Sequence, residues 1–274
     1  GFGSAMVASI GFMGAVTSSS IAQHLSWQQA YLSGGTLGIL LLFARMNLTE
    51  STIYLETKSA SVASATQWGS IRLLFATQHR AFKVLWCLLM GVPIWYVAGI
   101  LSYFAPEFAK EFHIQGEVTA GTTIMLGYMG SIIGDVICGL LSQKLQSRKK
   151  AVLYFMIFGA VVSVGHNYFM EGATAGLFYF GRAVIGFSNG YIAVLVAWIA
   201  ELFGTNLRAT ATTLIPNLIR AAVIPLTASI AYLRPNFGLV QSSIILGVIC
   251  FGAALLAVTR LDETFHREMK FEER

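Results

Sequence analysis

The sequence predicts an all-α integral membrane protein, and three observations predict it. Only 11% of its 274 residues are charged and 55% are hydrophobic, where a soluble domain carries about 25% charged residues. Apolar runs of the roughly 20 residues needed to cross a bilayer recur along the chain. Lysine and arginine collect in every second gap between those runs. So few charges cannot cover a water-exposed globule of this size, and the mean hydropathy of +0.67 agrees. A lipid-facing exterior resolves the deficit.

About eight runs are legible in order. The first extends from Gly1 to Ala22 and the second from Gln28 to Arg45. A polar stretch rich in Ser, Thr and Ala then occupies Met46 to Arg80. The remaining six are Ala81 to Phe104, Thr119 to Ser142, Ala151 to Tyr168, Ala175 to Ala200, Ala209 to Leu233 and Phe237 to Thr259. All are continuous, and about twice the length of the alternating 10-residue strands of an outer-membrane barrel. Backbone groups in lipid must bond within their own segment, so such runs become helices.

Orientation follows from the basic residues. With the Met46–Arg80 stretch inside, fourteen of the eighteen Lys and Arg face the cytosol. They fall between Arg45 and Lys83, between Lys144 and Lys150, at Arg208, and from Arg260 to the end. Only Lys110 and Arg234 fall outside, and Arg182 and Arg220 lie within runs. Both ends of the chain are therefore expected in the cytosol. Two runs before the polar stretch and six after it suggest a linker between two bundles. The expected divisions are 1–46, the last two helices of an N-terminal bundle; 47–80, a cytoplasmic loop; 81–260, a six-helix C-terminal bundle; and 261–274, a cytoplasmic tail. The chain starts at Gly1 without Met or a charged leader. About four helices are accordingly expected ahead of it, and the piece is not expected to transport alone.

Local motifs carry a family resemblance. Ser26 to Tyr31 with Gly34, Gly35, Arg45, Glu50 and Ser51 resembles the sixth helix of bacterial metabolite–proton symporters of the major facilitator superfamily. The run Gly181-Arg182-Ala183-Val184-Ile185-Gly186-Phe187-Ser188-Asn189-Gly190 is similar to that family's Arg-x-x-x-Gly-x-x-x-Gly helix. Ala200-Glu201-Leu202-Phe203-Gly204-Thr205-Asn206-Leu207-Arg208-Ala209-Thr210 resembles its loop between helices ten and eleven, with Gly204 in the position of a proline. Leu261-Asp262-Glu263-Thr264 resembles its Leu-Pro-Glu-Thr ending. Gly139 to Lys150 departs from the usual loop between helices eight and nine, lacking its Asp and second Gly. The resemblance implies a fold of twelve helices in two bundles, about eight of which lie in this chain. It also implies proton-coupled secondary transport across a bacterial inner membrane by a protein monomeric at full length.

An ionised side chain at the centre of a bilayer costs about 2.5–3.5 kcal/mol on insertion scales, so each one asks for a reason. Asp135 is read either as a carboxylate that takes up and releases a proton or as a fixed partner of an Arg or a helix end. Arg220, with Pro216 before it and Pro225 beyond, is read either as a holder of an anionic group or as half of an internal ion pair. Asn217 shares its helix face, being three residues earlier. Arg182 is read as a coupling residue by resemblance, or as a structural brace. Trp95, Tyr96, Tyr128 and Asn189 are further candidates for a substrate cavity. By resemblance Glu201 and Arg208, with Arg148 and Lys149 of the basic stretch, are candidates for a cytoplasmic gate; the other reading is a solvated face oriented only by the charge rule. An exposed pair there contributes about 0–1 kcal/mol.

Other chemistries find little support. Cys87, Cys138 and Cys250 lie inside apolar runs with no disulfide or metal spacing. The five histidines make no metal set. Gly181, Gly186 and Gly190 suit close helix packing, and no strand precedes them as a nucleotide fingerprint requires. Basic residues confined to short gaps argue against nucleic-acid binding. No cofactor, metal or enzymatic activity is expected. The expected partners are lipid, a small polar or anionic metabolite, and protons. A membrane sensor or scaffold that kept the fold without transporting is the alternative.

Overall fold

The computed structural model describes residues 2–46 and 70–266. Most of the expected 47–80 loop lies outside the described residues, as do the tail residues Arg267, Lys270 and Arg274. Within them the chain is helical, and no strand is present. The elements are α1 (Phe2–His24), α2 (Trp27–Met46), α3 (Ile71–Leu74), α4 (Gln78–Trp95), which runs on as a π-helix over Tyr96–Ser102, and α5 (Ala105–Glu111). There follow α6 (Ala120–Lys144), α7 (Arg148–Phe169), α8 (Ala175–Ser188), α9 (Ile192–Leu202), α10 (Thr205–Ala221) and α11 (Val223–Arg260).

Local chemistry sets four of the helix starts. Thr77, Thr119, Ser147 and Thr174 each precede a helix, and each side-chain oxygen accepts from a backbone N–H of the first turn. Such a cap satisfies one of the four orphan donors at a helix start. Thr77 thereby begins α4 at Gln78, three residues before the apolar run does.

The 56 residues from Thr205 to Arg260, largely apolar, would extend roughly 84 Å if straight, against a hydrocarbon core of about 30 Å. The chain reverses at Gly238, whose φ of 73° favours glycine. The carboxylate of Glu111 accepts from the backbone N–H of Leu239 at 3.2 Å and so caps the returning helix. Five helical stretches from Gln78 onward are long and apolar enough to cross a membrane, and this last one is long enough to do so twice.

Two faces result. At one, Lys83 donates to Leu202 O, Lys149 to Leu261 O and Trp198 to Asp262 O. At the other, Arg234 pairs with Glu107 at 2.7 Å, Gly172 N–H meets Phe112 O, and Thr119 N–H meets the Tyr179 hydroxyl. α1 lies antiparallel along α6, with Phe12 against Tyr128 and Ser20 against Met125. α2 is exposed along nearly its whole length.

Between α6 and α8 the backbones touch. A Cβ on Gly130 would strike Ala183 O, one on Gly186 would strike Gly127, and one on Gly190 would strike Gly134. Bare glycine here is what allows the two helices to meet. The buried apolar residues form two clusters. One surrounds Trp198, Met156 and Leu207, and the other Tyr96, Phe108 and Phe178; Trp95 packs against both.

The sequence expectation is corrected in three places. A short helix, α5, occupies part of the gap after Phe104. The Ala175–Ala200 run is two helices broken at Asn189–Tyr191. The third run changes from α to π winding just after Pro93, which lacks an amide donor and clashes with the preceding turn.

Candidate functional site

The winding change in α4 sets one wall of an interior cavity. Trp95, Ala98, Leu101 and Ser102 turn inward from it. α6 contributes Tyr128 and Ser131, α8 contributes Arg182 and Gly186, and Asn189 comes from the break after α8. Arg220 of α10 and Phe12 of α1 complete the enclosure. The cavity volume is about 110 Å³. Of the sequence candidates, the fold brings together Trp95, Tyr128, Arg182, Asn189 and Arg220 at this one cavity.

Arg182 is the unusual member. It is 3% exposed. Its guanidinium lies 4.7 Å from the Phe178 ring centre and 5.1 Å from that of Phe108. None of its three side-chain nitrogens has a hydrogen-bond partner among the described residues. Two ring faces stabilise a cation by about 0.5–2 kcal/mol each, which falls well short of the several kcal/mol of desolvation. Its hydrogen-bonding capacity is therefore unspent at the wall of a cavity. Arg220 differs: it is exposed, and its guanidinium stands 5.3 Å from the Trp95 ring centre.

Asn189 lines the cavity and donates to Ile94 O at 3.2 Å, bridging the helix break to α4. Tyr96 and Asn217 lie elsewhere. Tyr96 is buried on the opposite side of the π segment, its hydroxyl donating to Ser243 O at 2.8 Å. Asn217 is exposed on α10, and its amide returns to Thr213 O of the same helix.

Asp135 sits one turn beyond Ser131, outside the cavity lining, and is fully buried. One carboxylate oxygen accepts from Ala193 N–H at 3.2 Å. This supplies the cap that α9 lacks at Tyr191. The other oxygen has no partner among the described residues. Tyr128, Ser131, Asp135 and Ser142 share one stripe of α6, at helical spacings of three, four and seven. The Ser131 hydroxyl donates to Gly186 O at 2.8 Å. The Ser142 hydroxyl accepts from Arg148 at 3.0 Å. A polar stripe thus leads from the cavity past Asp135 to the Lys149 face.

At that face Arg148 pairs with Glu201 at 3.0 Å, the two side chains only 7% and 13% exposed. The pair is buried, where the sequence suggested a solvated one. The Thr264 hydroxyl donates to the second Glu201 oxygen at 2.6 Å. Arg208, in the first turn of α10, donates to Ala200 O of α9 at 2.7 Å. Lys149 reaches Thr259 O and Leu261 O, the last carbonyls of α11.

Glu263, which the sequence reading used only as part of an ending motif, gathers the α7 start. It accepts from the Ser147 hydroxyl and from the backbone N–H groups of Arg148, Lys149, Thr264 and Phe265. Burial pushes its carboxyl up. The bonds from Ser147, Arg148, Phe265 and Thr264 outweigh this and hold it below the usual carboxylate range. Ser131 was also missed, although it stands four residues before Asp135 on the same face. The Phe108–Phe178 cage gave no local signal, because its rings come from two separate segments.

No group of His, Cys, Asp and Glu among the described residues has the arrangement of a metal site. Comparison with known proteins points one way. Residues 1–227 match the family profile of the Major Facilitator Superfamily. The chain is 21% identical over 252 residues to a probable 4-methylmuconolactone transporter of Cupriavidus pinatubonensis. That match covers 89% of this chain and 55% of the relative, so the chain spans about half the relative's length.

Proposed function

Since the chain belongs to the Major Facilitator Superfamily, we propose that it serves secondary active transport of a small organic anion, by alternating access and in symport with protons. The observation that carries this reading is Arg182, a buried cation with three unpartnered nitrogens at a cavity wall. A carboxylate entering the cavity would satisfy those donors and neutralise the charge together, and charge-assisted bonds are the stronger kind. Apolar walls from Trp95, Ile185 and Leu101 suit the body of such an anion. Arg220, stacked near Trp95, would draw it in. The similar protein, a probable transporter of 4-methylmuconolactone, agrees with a cargo of this size.

In this reading Asp135 carries the coupled proton. Its free oxygen lies on the polar stripe between the cavity and the Lys149 face. The 1–46 helices belong to one bundle and the 81–260 helices to the other, and the two rock about the cavity. Arg148, Glu201, Lys149 and Arg208 hold the Lys149 face shut when the cavity opens the other way. That face is cytoplasmic, the membrane is a bacterial inner membrane, and the working protein is a monomer.

Counterflow in proteoliposomes, with a panel of small carboxylates and the full-length protein, tests the reading. Arg182→Gln should abolish exchange of whichever acid is carried, with Arg182→Lys impaired by at least tenfold. Asp135→Asn should retain exchange but lose uptake driven by a proton gradient. Exchange unaffected by Arg182→Gln would refute the assignment. A folded protein that moves no carboxylate would favour a sensor.

A further inference from the structure

We infer, building on the transport reading above, that the carried anion bears a hydroxyl at the end remote from its carboxylate, and that Ser131 and Asn189 select for it. Both side chains line the cavity of Arg182. Each residue is only 7% exposed.

Bonds already made fix the polarity of both groups. The bond from Asn189 to Ile94 O needs a donor, which only the side-chain amide nitrogen supplies, so Oδ1 is the end left over. The hydroxyl hydrogen of Ser131 is directed at Gly186 O at 2.8 Å, which leaves the lone pairs of that oxygen. Neither oxygen receives a hydrogen bond among the described residues. A buried acceptor requires a donor, and a carboxylate has none to give. The donor must therefore be a second group on the same ligand.

Charge and spacing narrow that group. Arg182 and Arg220 are the charged side chains among the described residues of the lining. An ammonium would be repelled by both, whereas a neutral hydroxyl is not. The Arg182 guanidinium lies against the Phe178 ring, while Ser131 meets Gly186, eight residues further along the chain. Asn189 follows at the end of the same helix. Eight residues of helix rise about 12 Å. A hydrogen bond of about 3 Å at each end leaves roughly 6 Å for the ligand. A 2-hydroxy acid is too short for that span, and a 5-hydroxy acid fits it. Trp95 supplies an apolar wall for the carbon chain between the two ends.

The test is counterflow by the full-length protein in proteoliposomes, with labelled 5-hydroxypentanoate and labelled pentanoate in parallel. Unlabelled 5-methoxypentanoate, 2-hydroxypentanoate and 5-aminopentanoate serve as competitors. 5-Hydroxypentanoate should be preferred over pentanoate by about tenfold or more, the effect of pairing one buried acceptor. 5-Methoxypentanoate keeps the oxygen but loses the hydrogen, and should compete no better than pentanoate. The 2-hydroxy and 5-amino acids should do no better either. Asn189→Ala and Ser131→Ala should each reduce the hydroxyl preference to about threefold or less, with exchange of pentanoate retained. General loss of structure would lower both acids together and leave their ratio alone. Equal exchange of the two labelled acids by the parent overturns the proposal whether or not the variants fold. A preference that both variants keep overturns it as well. A folded parent that exchanges none of these acids sinks the transport reading itself, and the proposal falls with it.

Discussion

Two arginines at opposite ends of the polar stripe make contrasting predictions. Arg148 is buried with a partner, pairing with Glu201 at 3.0 Å and donating to Ser142. Removing one member of a buried pair leaves the other charge uncompensated, at a loss of about 3–5 kcal/mol. Arg148→Met should therefore lower the melting temperature sharply, and Glu201→Gln should do so by a smaller amount. Arg182 is buried without a partner among the described residues. Arg182→Met removes a desolvated charge and keeps an apolar body between Phe108 and Phe178. It should leave the melting temperature level or raise it, while transport is lost. A fall comparable to that of Arg148→Met would mean that Arg182 braces the fold. Glu263 makes a pH prediction. Its folded-state pKa lies below its unfolded value, so its bonds to the α7 start add stability above the usual carboxylate range. That contribution disappears as pH falls through the depressed folded value. Glu263→Gln should flatten the acid limb of melting temperature against pH. An unchanged limb would mean that the α7 cap does not titrate with the fold.

Elements show where sequence reasoning reached its limit. Helix existence was legible because lipid requires long apolar runs, whereas Thr77 and Ser147 begin two helices at Gln78 and Arg148, three residues before the apolar runs at Ala81 and Ala151. The breaks were harder to see. Nothing between Asn189 and Tyr191 forbids helix locally; the break is capped from α6 by Asp135, far away in sequence. The π winding after Pro93 was half legible, since the proline marked a disturbance without giving its form. The cavity followed the same pattern. Single buried charges such as Arg182 and Asp135 stood out by composition, whereas Tyr96 and Asn217 were misplaced because rotation about a helix axis depends on tertiary packing. Glycines bear this out in energetic terms. A Cβ at Gly190 would strike the backbone of Gly134, which cannot yield as a side chain can. One at Gly252 meets nothing within 4 Å. Gly190→Ala should therefore destabilise by about 1–3 kcal/mol, the range for overpacking. Gly252→Ala should be neutral or slightly stabilising, because alanine is the better helix former. Equal melting temperatures for the two variants would show that the break after α8 is not in backbone contact with α6.

At the scale of the whole molecule, charge and geometry must agree about sidedness. The reversals at the α6–α7 turn, at the α7–α8 turn, after α9 and at Gly238 place helix ends alternately on two faces. The hydrogen bonds at those faces sort the same way. Lys83, Lys144, Arg148, Lys149, Lys150, Arg208 and Arg260 belong to one face, and among the described residues Lys110 and Arg234 belong to the other. A basic loop is expensive to move across a membrane, so the Lys149 face should remain in the cytosol. Sidedness can be read directly because Cys87, Cys138 and Cys250 are all buried and should give little background with a thiol reagent. Arg234 is about half exposed beside Glu107. Arg234→Cys should react with a membrane-impermeant maleimide in intact cells, and its labelling should change little when the cells are opened. Lys150→Cys, at the start of α7, should react only after the membrane is breached. The converse pattern would reverse the whole molecule and turn the Asp135 stripe from the cytosolic side of the membrane to the outer side.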